Sequence, residues 1–404
     1  MSLPIPYRLL TGLLAALAAV GPFSIDTYLP AFPMIGAELG ATPLEVQQSL
    51  TAYMVPFATM VLWHGTLSDA LGRRRVLIVA MTAYAAASLA CSFATDIHEL
   101  WLGRALQGVC AGAGMVVGRA VVRDVLEGAR AQRLMSHVTM VFGVAPAVAP
   151  IIGGLLVGVA GWRSIFVLLA CLGVLLALSC WRWLPESLPP ERRQPIHALE
   201  LLHAYRSVFV RPAFMALSGA MAFNFAGFFI YVLSAPMFLM NHLGLAPDAF
   251  GWFFVPTVSG MVVGSMVSAK MAGRWSQRRA IAFGYLVMGA AVALNLAVSS
   301  LIVPSLPWSL LFAPVYTLGM ALAMPALSLM ALDQFPLRRG LASSCQSFLQ
   351  MGLNALVAGV LAPMVWATTL SLALGATALT GTGALLFALW WWRLARRDQS
   401  LSPR

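Results

Sequence analysis

The chain has 404 residues, of which 60% are hydrophobic and 10% are charged, and its formal net charge is +11. Soluble domains have about 25% charged residues, so a water-soluble fold is excluded because its surface would be largely apolar. The cations lie in short clusters between apolar stretches, not on one basic face or tail. This pattern excludes a nucleic-acid-binding protein and predicts an integral membrane protein.

Twelve apolar stretches have the length of a membrane-spanning helix, which needs about 20 residues to cross a hydrocarbon core of about 30 Å. The first continues through Pro22 to Pro33, which is too long for the apolar core of a signal peptide, so it is predicted to remain as a span. The sequence therefore predicts an all-α membrane protein with twelve transmembrane helices. These are residues 9–35, 46–66, 76–94, 99–121, 134–158, 163–184, 212–240, 248–271, 279–300, 304–330, 340–365 and 370–393.

Positive charges mark alternate breaks between the predicted spans. Two cations do not follow this pattern, since Arg104 lies inside a predicted span and Arg163 lies at one of the other breaks. Lys and Arg in short loops stay on the cytoplasmic side, so both termini are predicted to be cytoplasmic. The other cations lie in the two tails and in the breaks at 67–75, 119–133, 182–211, 270–279 and 331–339.

The longest break contains LPESLPPERRQP, whose prolines and charges are typical of an exposed linker. It divides the chain into a first bundle of six spans at 1–185, a cytoplasmic linker at 186–211 and a second bundle at 212–404. A weak repeat supports this division, because the segment at 54–75 parallels the segment at 254–275 at an offset of 200 residues. Symmetry between two six-helix halves is typical of transporters.

The loop between the second and third predicted spans is GTLSDALGRRR, residues 65–75. Gly65 and Gly72 permit a tight turn, and Asp69 offers a carboxylate to a helix amino terminus or an arginine. The loop resembles motif A of the major facilitator superfamily, G-x-L-x-D-x-x-G-R-R. The resemblance implies two pseudo-symmetric six-helix bundles, alternating access and a charge latch that holds the outward-open state. The implied latch consists of Gly65, Asp69, Gly72, Arg73 and Asp124.

Further segments resemble the Bcr/CflA group of drug–proton antiporters. DTYLP at 26–30 is similar to the first-helix signature of that group, and RALQG at 104–108 is similar to motif B. A set in the fifth span is similar to the antiporter motif C, with Ala149 where a glycine is usual. Its resemblance implies a part in antiport, and a simple packing seam is the alternative. The set is Gly143, Pro146, Pro150, Gly153 and Gly154.

Asp26 and Arg104 are charges set well inside apolar stretches. A buried charge in a membrane span costs at least about 2.5 kcal/mol, so such residues usually face a cavity and carry function. We expect both to lie in the outer half of the membrane at comparable depth. One interpretation makes Asp26 a proton carrier whose protonation responds to substrate and to Arg104. The alternative is a permanent ion pair that fixes two helices.

Two polar stripes suggest the lining of a substrate cavity. Three amides recur every four residues in the eleventh span, and a second set follows in the seventh at i, i+4 and i+7. Two tyrosines of the first half would suit a pocket for flat ligands. Hydrogen bonding and packing between helices are the alternatives. The candidates are Gln346, Gln350, Asn354, Asn224, Phe228, Tyr231, Tyr28 and Tyr53.

The predicted function is the export of small drug-like or lipophilic molecules in exchange for protons. A proton-coupled transporter of a metabolite, such as a sugar or an amino-acid-related compound, is the alternative on the same fold. A membrane enzyme is excluded because the sequence has no nucleophile–base pair, metal-ligand set or phosphate-binding loop. No cofactor or metal is expected. The chain is predicted to act as a monomer in the bilayer, in a bacterial inner membrane.

Overall fold

The computed structural model describes residues 6–126, 128–195 and 197–401, and these residues are almost entirely helical. An isolated bridge between Ala272 and Trp275 is the one β-type pairing among them. The chain divides into two compact units, Met1–His197 with Gly244–Val255, and Ala198–Leu243 with Pro256–Arg404. Residues 1–5 and 402–404, which carry the two termini predicted to be cytoplasmic, lie outside the described residues.

Long apolar helices form the first unit because each presents small and aliphatic side chains to its neighbours. α3 packs against α5, α4 packs against α7, and α1 packs against α5 and α6. The unit therefore surrounds α5 with helices on several sides. The helices are α1 (Tyr7–Asp26), α2 (Phe32–Leu39), α3 (Pro43–Leu71), α4 (Arg73–Ser92), α5 (Ile97–Val125), α6 (Gly128–Ala160) and α7 (Arg163–Trp183).

The second unit has its own pairs of long helices. α11 packs against α12, and α9 packs against α12, α13 and α15. Two π-helical segments, Pro236–His242 and Val357–Leu361, follow α9 and α13. The remaining helices of the chain are α8 (Ala198–Phe209), α9 (Pro212–Leu233), α10 (Gly251–Met271), α11 (Gln277–Leu301), α12 (Phe312–Leu332), α13 (Arg339–Leu356), α14 (Ala362–Val365) and α15 (Thr369–Leu401).

Eleven candidate membrane spans are found within the described ranges, by length and hydropathy. The predicted second span, 46–66, lies in α3, which has 29 residues. It falls short of the hydropathy of the other eleven because Gln47, Gln48 and His64 interrupt its apolar sequence. The structure therefore supports eleven of the twelve predicted spans, and the span at 46–66 is the one that length and hydropathy do not select.

The first predicted span is interrupted directly after Asp26. α1 ends at that residue, a 3-10 turn follows at Leu29–Ala31, and α2 begins at Phe32. Pro30 and Pro33 remove backbone donors at this point, so a regular helix cannot continue through it. The carboxyl group of Asp26 consequently lies at a helix end and not in the middle of a helix.

Side-chain caps fix the starts of α3 and α5. Thr42 and Glu45 form a capping box at the first turn of α3. Asp96 accepts hydrogen bonds from the backbone N–H groups of His98 and Glu99 at the start of α5. These bonds hold the pKa of the Asp96 carboxyl below its ordinary value, and the bond from the backbone N–H of Glu99 has the largest effect.

Candidate functional site

Arg104, on α5, is a fully buried cation with 0% of its surface exposed. Its Nη1 donates to the carbonyl oxygen of Ser24 at 3.2 Å and to Oε1 of Gln107 at 2.8 Å. Its guanidinium carbon lies 4.7 Å from the ring centroid of Tyr28 and 4.4 Å from that of Tyr53. A desolvated cation over an aromatic face gains about 2 kcal/mol. The two predicted substrate-lining tyrosines therefore form the wall around Arg104.

Asp26 is 2% exposed, and its Oδ1 has no hydrogen-bond partner among the described residues. Nε and Nη2 of Arg104 likewise have no partner there, and Nη1 bonds to Ser24 and Gln107. The two charges thus lie near the same end of α1 without a hydrogen bond between them. Buried polar atoms without partners are rare in folded proteins and need an explanation such as a proton, water or ligand.

A second layer of hydrogen bonds holds the groups that touch Arg104. Oγ of Ser24 and the hydroxyl of Tyr84 are 2.5 Å apart, and Nε2 of Gln107 donates to Oγ of Ser88 at 2.7 Å. Sequence reasoning missed these two residues of α4. Their spacing of four residues within an apolar span was the available signal, because it places both polar groups on one helix face.

Two glycines of α6 let its backbone pack closely, one against the residue that follows Asp26 and one against Pro247. A Cβ atom at Gly153 would lie 2.1 Å from the carbonyl oxygen of Thr27, and one at Gly154 would lie 2.2 Å from that of Pro247. Such distances leave room for glycine alone. The other members of the predicted antiporter set, Gly143, Pro146 and Pro150, also lie on α6.

The predicted latch residues meet around the guanidinium of Arg73, the first residue of α4. Nη2 lies 2.5 Å from Oδ1 of Asp69, and Nε donates to Oδ2 of Asp124 at 3.1 Å. Gly72, directly before it, has φ of 95°, a conformation that favours glycine. Gly65 is under no such restriction, since a Cβ atom there would lie 3.8 Å from Cγ1 of Val116, an ordinary contact distance.

The start of the predicted linker contributes groups to this cluster that sequence reasoning missed. Oε1 of Glu186 accepts from the backbone N–H of Arg73 at 2.9 Å. Oγ of Ser187 donates to Oδ2 of Asp124 at 2.9 Å, and the backbone N–H of Gln194 donates to the carbonyl oxygen of Asp69 at 3.2 Å. A carboxylate and a hydroxyl directly after the end of α7 were the available signal. The segment docks onto the latch, and α8 follows it.

In the second unit, the polar groups of the seventh-span stripe bond to neighbouring helices. Nδ2 of Asn224 donates to the hydroxyl of Tyr285 at 2.9 Å, and Nδ2 of Asn295 donates to the hydroxyl of Tyr231 at 2.7 Å. Phe228 is buried between these two positions at 9% exposure. These bonds join helices, as the alternative interpretation expects. Oδ1 of Asn224 has no partner among the described residues, so it is available to a ligand.

The amides of the eleventh-span stripe are less fully bonded. Oε1 of Gln346 accepts from Oγ of Ser328 at 2.8 Å, but its Nε2 has no partner in the described part of the chain. Asn354 is 1% exposed, and neither of its side-chain polar atoms has a partner there. Gln350 is half-buried. These unused donors and acceptors are free for a polar ligand or water.

The described residues contain no group of three or more His, Cys, Asp or Glu side chains that could hold a metal ion. Four of the five free cysteines are buried, and Cys171 is exposed. The chemistry available at the candidate site is therefore that of carboxylate, guanidinium, hydroxyl and amide groups.

The family model of the Major Facilitator Superfamily matches residues 14–351. The "Uncharacterized MFS-type transporter YdgK" of Bacillus subtilis is 32% identical over 348 residues, covering 85% of this chain and 86% of that protein. "Multidrug resistance protein D" of Escherichia coli is 28% identical over 360 residues, covering 87% of each. The "Bicyclomycin resistance protein homolog" of Haemophilus influenzae is 28% identical over 257 residues, covering 64% of this chain and 65% of that protein.

Solved structures agree in fold. A bacterial homolog of the human lysosomal transporter Spinster superposes with a TM-score of 0.73 at 16% identity, covering 98% of each chain. The human organic anion transporter MFSD10 superposes with a TM-score of 0.69 at 17% identity, covering 95% of this chain and 99% of that one. At these identities the likeness establishes the arrangement of helices alone.

Replacing Glu186 by alanine is expected to release the docked segment. The carboxylate is half-buried, so its bond to the N–H of Arg73 is worth about 1 kcal/mol, which corresponds to about fivefold more of the open segment. Trypsin should then cleave the purified protein after Arg192 or Arg193 about five times faster. Glu200→Ala removes an exposed carboxylate from α8 and should leave the rate unchanged. Equal rates for the two variants would contradict the docking.

Gly153→Ala is expected to destabilise the first unit, because the added methyl group overlaps the carbonyl oxygen of Thr27. Overpacking of this kind costs about 1–3 kcal/mol, which corresponds to a fall of roughly 5 °C in the unfolding temperature. Gly158→Ala, on the same helix, meets nothing within 4 Å and should be neutral. Thermal unfolding in detergent compares them, and the same shift for both would refute the close contact.

Proposed function

The chain belongs to the Major Facilitator Superfamily, and we propose that it exports small drug-like or lipophilic molecules in exchange for protons. As a member it is a multi-span membrane transporter of small molecules and not an enzyme. Relatives named for bicyclomycin and multidrug resistance support drug efflux. Their bacterial sources agree with an inner-membrane location.

The observation that carries proton exchange is the environment of Asp26. Its carboxyl group is buried, and one oxygen has no partner in the described residues. An unpaired carboxylate in an apolar setting is costly, and proton uptake removes that cost. A group that is alternately exposed to the two sides of the membrane can therefore carry a proton across it.

Arg104 supplies a constant positive charge near the same end of α1, where it donates to the carbonyl oxygen of Ser24. Arginine does not release its proton in proteins, so it cannot itself be the carrier. Its position is fixed by two tyrosine rings and two hydrogen bonds. Protonation of Asp26 would change the net charge of the two residues from zero to +1. This change of charge is the means by which the proton and the cargo would influence each other's binding.

The remaining assignments complete the proposal. Asp69, Arg73 and Asp124, with Gly65 and Gly72, form the conformational latch, and the glycine–proline set of α6 limits leakage through the cavity.

The membrane is crossed twelve times, with α3 as the second span and both termini cytoplasmic. The bundles are 1–185 and 212–404, joined by 186–211. The protein acts as a monomer, without cofactor or nucleic acid. Cargo contacts are assigned to Tyr28, Tyr53, Asn224, Phe228, Tyr231, Gln346, Gln350 and Asn354.

Asp26→Asn is expected to abolish proton-coupled export while the protein stays folded, because an amide has the shape of the carboxyl group but cannot carry a proton. Everted vesicles from a pump-deficient bacterial host, energised by respiration, measure proton release on addition of chloramphenicol or tetraphenylphosphonium. Resistance of the host to the same compounds gives a second readout. Both should fall to the level of cells without the protein.

Asp96→Asn is the matched control, since asparagine also caps helices and Asp96 lies outside the spans. It should keep full activity. Full activity of Asp26→Asn would refute the proton-carrier assignment. A wild-type protein that responds to a single sugar or amino-acid-related compound, and to none of the lipophilic drugs, would establish the alternative function in place of drug export.

A further inference from the structure

The first unit contains a cavity of about 170 Å³ between α1, α5 and α6. Leu14, Met115, Val138 and Phe142 are among the side chains that line it. This volume is close to that of an engineered protein cavity of about 150 Å³ that binds benzene. The space and its lining therefore suit one aromatic ring.

One cation, Arg119, also lines the cavity. The residue is solvent-accessible, although it lies within α5. In the described part of the chain its guanidinium has neither a hydrogen bond nor an ion pair. The charge that acts on it is the like charge of Arg123, whose Nε donates to the Arg119 carbonyl oxygen at 3.4 Å. Among the described residues, the cavity thus has an unbalanced positive charge beside an apolar wall.

This site differs from the surroundings of Arg104. Arg119 lies 15 positions further along α5, which corresponds to about 22 Å of helix. Arg104 is enclosed by aromatic rings and hydrogen-bonded groups, whereas the guanidinium of Arg119 has no protein acceptor among the described residues. A charged group at an apolar cavity is stabilised when an opposite charge joins it.

We propose that this cavity binds an amphipathic organic anion, with its carboxylate on Arg119 and a single aromatic ring against Leu14, Met115 and Phe142. The hydroxyl of Thr139, which also lines the cavity, offers a further donor to the carboxylate. This inference rests on the proposed function, because it names a class of cargo for the exporter. Anionic single-ring compounds are then substrates beside neutral and cationic drugs.

The test uses the full chain in phosphatidylcholine nanodiscs, which contain no anionic lipid headgroup to compete for the site. Saturation-transfer NMR titrations compare benzoate with benzamide, its uncharged analogue, and empty nanodiscs give the background. The wild type should bind benzoate at least about tenfold more tightly than benzamide, as expected for a charge-assisted hydrogen bond. Arg119→Gln should bind benzoate about tenfold more weakly than the wild type, and Arg119→Lys should retain most of the affinity.

Arg123→Gln is the matched control, because it removes the same charge one turn away on the same helix without touching the cavity. It should bind benzoate as the wild type does. Equal benzoate affinity for Arg119→Gln and the wild type, equal loss in Arg123→Gln, or no preference over benzamide would each overturn the site. Thermal unfolding of every variant confirms that it is folded, and the preference of the wild type for benzoate over benzamide carries the test if Arg119→Gln is not.

Adding phosphatidylglycerol to the nanodiscs identifies the source of the anion. If it displaces benzoate from the wild type but not from Arg123→Gln, a lipid headgroup competes at a surface that includes Arg123, and the assignment to cargo is overturned. Drug export in vesicles is measured in parallel. Export without benzoate binding would remove this site and leave the proposed function in place. Benzoate binding without export would leave this site in place and remove the proposed function.

Discussion

The burial of a permanent positive charge in an apolar bundle is the constraint around which the first unit is organised. Arg104 cannot be neutralised, so the protein must surround it with groups that replace water. Two tyrosine rings, a backbone carbonyl and an amide oxygen do so. The residue that supplies each of them forms a further hydrogen bond with a neighbour. Substitution of any of these neighbours would act on the charge indirectly, through the groups that touch it.

Asp26 lies near this charge, at a helix end. The prolines that follow it stop α1, and the chain turns where Gly153 of α6 approaches Thr27. A carboxyl group placed beside irregular backbone and a close helix contact is sensitive to small movements of either. If Asp26 carries the proton as proposed, proton binding and helix packing would be coupled at one point of the structure, which is what an exchanger requires.

Local sequence patterns predicted much of this arrangement. Hydropathy located the long helices because lipid requires continuous apolar stretches, and it placed a span in α3, although that helix is not among the eleven candidate spans of the structure. The resemblance of the loop to motif A implied that Asp69 and Arg73 act together. Tertiary contacts were beyond such patterns: nothing local shows that Glu186 reaches the backbone of Arg73, 113 positions earlier. Similarly, the partners of Asn224 and Tyr231 lie on other helices, so the periodicity of α9 alone could not separate a ligand-binding face from a helix-joining face.

The docking of Glu186 also changes where the polypeptide can be divided. Composition places a boundary at about residue 186, where the prolines begin, but the carboxylate of Glu186 satisfies a backbone donor at the start of α4 and therefore acts as a remote helix cap. A first half expressed alone would keep the segment that closes the start of α4 only if the cut fell after Pro195.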